Sequence, residues 1–156
     1  ATLEQLSEEA RVAYGLAGAV QHGASTLPPE AFDRFPAGGT AEVHLATGFQ
    51  NLVYESPHLP AALKSRVYDH LRQECRGERK EGETEEQFLY KTRKKGFGPF
   101  KREFWELPPE TLAALGKELE DQFAFLFDKL HVADTKKVME RYIAPVDVPE
   151  PAPKDF

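Results

Sequence analysis

The spacing of apolar side chains divides the chain into two parts with different patterns. Between residues 57 and 143, apolar residues recur every three or four positions, as in amphipathic helices. The clearest stripe predicts one long helix over residues 109–130 and consists of Leu112, Leu115, Leu119, Phe123, Leu126 and Leu130. A second stripe (Leu63, Val67, Leu71 and Cys75) predicts a helix over residues 60–76. Thr84 and Gln87 have the spacing of a capping box, which predicts a helix start.

Residues 1–56 have a mixed pattern. A helix is predicted over residues 4–16, and short apolar runs predict strands near residues 19–22 and 41–46. A short helix between these strands is typical of a parallel βαβ unit. Parallel strands are normally covered on both faces, so this part of the chain is expected to be incomplete by itself. The Pro-rich tail, residues 144–156, is predicted to lack regular structure.

Composition narrows the class of protein. The chain has 156 residues and a net charge of -6, which gives it no general attraction to nucleic acid or to an anionic membrane. No apolar run reaches the roughly 18 residues that a membrane span needs. The single cysteine, Cys75, excludes an internal disulfide and fits a reducing compartment. We therefore expect a cytoplasmic protein with neither nucleic acid nor membrane as a partner.

Candidate chemistry lies where the two predicted strands end. The first strand leads into His22 and a small-residue loop, Gly23 to Thr26, and the second leads through His44 into Ala46-Thr47-Gly48. Neighbouring parallel strands end at the same edge of a sheet, where ligands bind in α/β proteins. Small residues let backbone N–H groups approach an anion, and an imidazole can bind a divalent metal. The open alternative is a pair of ordinary turns with incidental histidines.

These two loops also carry a resemblance to a known family. The segment HGASTLPPEAFDRF, a spacer and then AEVHLATGFQN resembles the end of the barrel of class II ketose-bisphosphate aldolases, which include fructose- and tagatose-bisphosphate aldolases. That family carries His-Gly-Gly-Ser-Gly after strand seven and Asn-x-(Asp/Ala)-Thr at strand eight. The resemblance covers roughly residues 10–56. This chain departs from the pattern at Ala24 and Thr26, where glycine is usual, and at His44, where asparagine is usual.

The resemblance implies an α/β fold, namely the carboxyl-terminal portion of a (β/α)₈ TIM barrel with its last two strands, followed by a helical extension. Residues 1–56 would be the last βα units of the barrel. Residues 57–143 would form the helical extension, and residues 144–156 would be a Pro-rich tail.

The implied activity is zinc-dependent, reversible aldol cleavage of a ketose bisphosphate to dihydroxyacetone phosphate and an aldehyde phosphate, which makes the complete protein an aldehyde-lyase. His22 would be one of three histidines that bind Zn²⁺. The implied contacts to the sugar-phosphate substrate are Gly23, Ser25, His44, Ala46 and Thr47. The identity of the catalytic acid and base is not implied by any residue of this chain.

A catalytic zinc normally has three protein ligands, and the chain has no Asp-His-x-x-His motif. The missing ligands are therefore expected from an amino-terminal barrel segment or from a separate chain, and the chain alone is expected to be inactive. The stripe at residues 112–130 also needs a surface to pack against, which predicts packing on that barrel-forming segment or on a copy of the same chain in a homo-oligomer.

Two other functions fit the sequence. A non-catalytic helical interaction or assembly protein would use that stripe together with the basic segment Lys91 to Arg102, which holds six basic residues and no acidic one. The simpler interpretation of the basic segment is a solvated helix end offset by the acids of residues 81–86. A barrel protein with another sugar-phosphate role would explain why His44 stands where aldolases have asparagine.

Overall fold

The computed structural model describes residues 2–149 and is mostly helical. The helices and strands within this range are α1 (Thr2–Tyr14), β1 (Val20–Gln21), α2 (Arg34–Ala37), β2 (Glu42–Val43), α3 (Thr47–Glu55), α4 (Ala61–Glu74), α5 (Glu85–Thr92), α6 (Lys101–Trp105), α7 (Pro109–Lys129) and α8 (Lys136–Tyr142). Short 3₁₀ turns cover Ala24–Thr26, Pro29–Ala31, Arg76–Glu78 and Arg93–Gly96. Of the predicted irregular tail, residues 144–149 have no regular structure, and residues 150–156 lie outside the described residues.

The two strands lie parallel, as predicted, with Val20 opposite Glu42 and Gln21 opposite Val43. The prediction that they are the last two strands of a (β/α)₈ TIM barrel is wrong, because the described chain is mostly helical and each strand has only two residues. Barrel strands are near-continuous apolar runs that are buried on both faces. Here polar residues interrupt both runs, and Val20 is 44% exposed.

Backbone contacts with the first helix hold the strand pair. The hydroxyl of Ser7, fully buried in α1, accepts a hydrogen bond from the Ala19 N–H at 3.2 Å. The Ala19 carbonyl in turn accepts from the Ala41 N–H at 2.9 Å. Gly18 makes this close approach possible, since a Cβ there would lie 2.6 Å from the Gly39 carbonyl oxygen. The strands are thus short but fixed in register.

Within residues 2–149, the helical part encloses the larger of two apolar cores. The predicted α4 stripe is confirmed as a buried face, together with side chains from neighbouring elements (Tyr54, Leu59, Leu63, Val67, Leu71, Cys75, Phe88, Leu89, Leu107 and Leu115). The predicted capping box is also confirmed: the Thr84 hydroxyl accepts from the Gln87 N–H, and the Gln87 side chain accepts from the Thr84 N–H. These bonds satisfy two N–H groups that a bare helix start leaves without partners.

A second, smaller core lies beneath the strand-end loops. It buries Ala24, Phe32, Phe35 and Leu126. The long helix α7, predicted over residues 109–130, supplies Leu115 to the larger core and Leu126 to the smaller one. One helix therefore connects the two cores. Among residues 2–149, none of the helices combines the length and the apolar character needed to cross a bilayer.

Candidate functional site

The carboxyl ends of β1 and β2 open into one cleft of about 720 Å³, within the size range of small-molecule sites. The structure places all six predicted site residues in its wall. The lining residues are His22, Gly23, Ser25, Thr26, Val43, His44, Leu45, Ala46, Thr47 and Tyr90. The two loops, separated by about twenty residues of sequence, thus meet in one concave surface.

The loop after β1 depends on a glycine. Gly23 has φ +71°, in the left-handed region that other L-residues rarely adopt. Its conformation turns the chain from the strand into the 3₁₀ turn Ala24–Thr26. Ala24 is fully buried in the smaller core and anchors this turn, while Ser25 and Thr26 line the cleft.

The loop after β2 leads directly into the N-terminus of α3. The first backbone hydrogen bond of this helix runs from the Gln50 N–H to the Ala46 carbonyl oxygen. The N–H groups before Gln50 therefore have no acceptor within the helix. Among the described residues, no side chain caps this end of the helix. A helix N-terminus carries partial positive charge and binds phosphate readily. The two loops also touch, since a Cβ at Gly48 would lie 3.5 Å from the Ser25 hydroxyl oxygen.

The two histidines face each other across the strand pair. Their ring centroids are 4.5 Å apart and the rings are inclined by 68°. The Glu42 carboxylate, on β2 and two positions earlier in the chain, contacts Nε2 of His44, which directly follows the strand. Side chains at positions i and i+2 of a strand lie on the same face, so this alternation is the sequence signal by which Glu42 could have been found.

Zinc, implied by the resemblance, fits this arrangement in part. An imidazole is a common zinc ligand, and His22 supplies one in the cleft wall. However, residues 2–149 contain no group of three or more His, Cys, Asp or Glu side chains suited to holding a metal ion. The described residues therefore do not form a zinc site by themselves, and His22 is the residue of this chain that the resemblance assigns to the metal.

Tyr90 in the cleft wall was missed by the sequence analysis. It comes from α5, in the part of the chain interpreted as a helical extension, and the residue is 44% exposed. Its hydroxyl accepts a hydrogen bond from Asn51 Nδ2 at 3.0 Å, and the Arg93 guanidinium lies 4.7 Å from the centre of its ring. No local sequence signal connects Tyr90 to the strand ends, because Asn51 lies 39 positions away.

Arg93 holds this side of the cleft together. Its side chain is only 7% exposed, and its charge is compensated by Glu55 at 2.7 Å. Its Nε also donates to Asn51 Oδ1 at 3.1 Å. A buried guanidinium needs such partners, since burying a charge without them is costly. The pair therefore joins α3 to the end of α5.

Acidic side chains offset much of the basic segment 91–102. Lys91 bonds Glu83 at 2.7 Å, Lys95 bonds Glu78, and Arg102 bonds Glu106 at 2.8 Å. The hydrogen bond from Lys91 lowers the pKa of the Glu83 carboxyl. This pairing favours the interpretation of a solvated, charge-compensated helix end over that of a free cationic surface.

Comparisons with protein-family models, with curated proteins and with solved structures found no match for this chain.

Proposed function

We propose that this cleft binds the phosphate end of a ketose bisphosphate, and that the chain contributes it to a zinc-dependent aldolase that cleaves the sugar reversibly into dihydroxyacetone phosphate and an aldehyde phosphate. The observation that carries the proposal is the meeting of the two loops: a helix N-terminus, two hydroxyl-bearing turns and a histidine pair share one wall. The resemblance of the same loops to class II aldolases supplies the reaction.

Each group has a distinct role in this proposal. The N–H groups at the start of α3 and the hydroxyls of Ser25 and Thr47 bind the phosphate oxygens, because charge-assisted hydrogen bonds to such oxygens are strong. Gly23 and Ala46 let the backbone approach the phosphate closely. His44, oriented by Glu42, donates a hydrogen bond to a sugar oxygen in the place where aldolases have asparagine.

His22 would bind the zinc ion, which when present supplies Lewis-acid polarisation of the ketone carbonyl. The remaining zinc ligands and the catalytic acid and base would come from another segment or chain, and we propose that the assembly is a homo-oligomer. A cytoplasmic location fits the buried free thiol of Cys75.

The test is phosphate binding. Isothermal titration of the chain with inorganic phosphate and with fructose 1,6-bisphosphate should show binding of both. Ser25→Ala and Thr47→Val should each weaken the binding of both ligands by about tenfold or more, the range expected for the loss of a hydrogen bond to a charged group. Ser65→Ala, at an exposed position on α4 outside the cleft, is the matched control and should bind as the wild type does. Unchanged affinity in both loop variants would refute the proposal.

A further inference from the structure

Tyr90 is exposed, yet two neighbouring side chains fix its position. Asn51 bonds its hydroxyl and the Arg93 guanidinium stacks on its ring. Both neighbours are themselves held, since Arg93 bonds Asn51 and Glu55. An exposed tyrosine with no role gains little from such support. Binding sites, in contrast, gain from side chains that are already in place before the ligand arrives.

The network also determines the direction of the hydrogen bond at Tyr90. Arg93 can only donate, so the Asn51 side-chain atom that faces it must be the carbonyl oxygen. The amide nitrogen of Asn51 then faces Tyr90 and donates to its hydroxyl oxygen. The hydroxyl therefore acts as an acceptor toward Asn51 and keeps its own hydrogen for another partner.

We infer that Tyr90 recognises the carbohydrate part of the ligand: its hydroxyl donates to a sugar hydroxyl and its ring covers the sugar. This inference rests on the proposed function and adds the residue that distinguishes a sugar phosphate from phosphate alone. The strand-end loops offer hydroxyls and backbone N–H groups to the cleft, and Tyr90 adds a phenol ring to its wall. An amphipathic ring with a polar tip suits a ligand that is partly apolar and partly hydroxylated.

The experiment compares two probes on three proteins. Wild type, Tyr90→Phe and Tyr142→Phe are titrated with inorganic phosphate and with fructose 1,6-bisphosphate. Phenylalanine keeps the ring and its stacking on Arg93, and circular dichroism verifies that each variant is folded. Tyr142 is an exposed tyrosine on α8 that does not line the cleft, so Tyr142→Phe is the matched control.

Tyr90→Phe should weaken the binding of fructose 1,6-bisphosphate by about 3- to 10-fold, as expected for the loss of one neutral hydrogen bond. Its affinity for inorganic phosphate should stay within twofold of the wild-type value (~0.4 kcal/mol or less). Tyr142→Phe should change neither affinity. If the wild type binds both probes and Tyr90→Phe changes neither, or weakens both equally, the role of Tyr90 is refuted and the phosphate site stands. If the wild type binds neither probe, the proposed function fails and this inference fails with it.

Discussion

The helical part and the strand-end part of this molecule achieve order in different ways. The helical part buries a continuous apolar stripe, with Val67 and Leu71 at most 1% exposed. The strand pair instead has four residues, of which one in each strand is polar. Its register depends on backbone hydrogen bonds made by the residues next to the strands. Burial thus dominates in the helical part, while the strand-end part combines a smaller core with backbone hydrogen bonds that set the strand register. The region with less buried surface is the one that carries the candidate chemistry.

The sharpest test of this contrast removes one apolar side chain from each region. Leu71→Ala should lower the free energy of unfolding by about 2–5 kcal/mol, because it leaves a cavity in a fully packed core. Val20→Ala on β1, where the residue is 44% exposed, should lower the free energy of unfolding much less, by about 1 kcal/mol or below. Urea unfolding followed by circular dichroism measures both. Equal losses would mean that the strand pair is as dependent on burial as the helices.

Overpacking tests the same core from the opposite direction. A Cβ at Gly96 would lie 2.4 Å from Val67 Cγ1 and 2.7 Å from the Tyr54 hydroxyl, so Gly96→Ala should destabilise the protein by about 1–3 kcal/mol. Gly98→Ala, two residues further along, is the matched control, since a Cβ there would meet no atom within 4 Å. Thermal melts of the two variants should differ clearly. A Gly96→Ala protein as stable as the control would show that this core is loosely packed.

The smallest effect concerns surface charge on the helical part. The hydrogen bond from Arg72 lowers the pKa of the Glu85 carboxyl. Its ionised form therefore stabilises the fold above the ordinary carboxyl pKa of about 4.3, and that contribution disappears as the pH falls through the lowered value. The melting temperature of Glu85→Gln should lie slightly below that of the wild type at pH 7, and the gap should close toward pH 3. Glu81→Gln, at an exposed position four residues before Glu85 and outside α5, controls for the loss of one carboxylate. A gap that stays constant with pH would contradict the assignment.

Local sequence patterns predict the helical part of the molecule better than the strand-end part. The α4 stripe and the Thr84–Gln87 capping box are local patterns, and the structure confirms both. The barrel prediction failed because it extended two short runs into strands of a larger sheet. In the structure β1 ends at Gln21 and β2 ends at Val43, and one of the two residues in each strand is polar. Strand length depends on which surfaces cover the strand, and local pattern does not contain that information.

The candidate site was partly predictable for a related reason. The parallel pairing brings His22 and His44 to one edge, as the order of the loops predicted, and the ring separation of 4.5 Å reports how close they are. Tyr90 was out of reach of the same reasoning. It arrives in the cleft through contacts with Asn51 and Arg93, and such contacts depend on how the helices dock.

Arg93 has a consequence for how the two regions communicate. Its guanidinium lies 5.9 Å from the ring centre of Tyr54, inside the helical core, and 4.7 Å from that of Tyr90, at the cleft. We therefore expect a ligand that immobilises Tyr90 to favour the packed arrangement around Tyr54 as well. Coupling of this kind is reciprocal, since each event shifts the other by the same free energy. A ligand in the cleft would slow amide exchange in the helices behind it, and a change deep in those helices would alter how long the ligand stays bound.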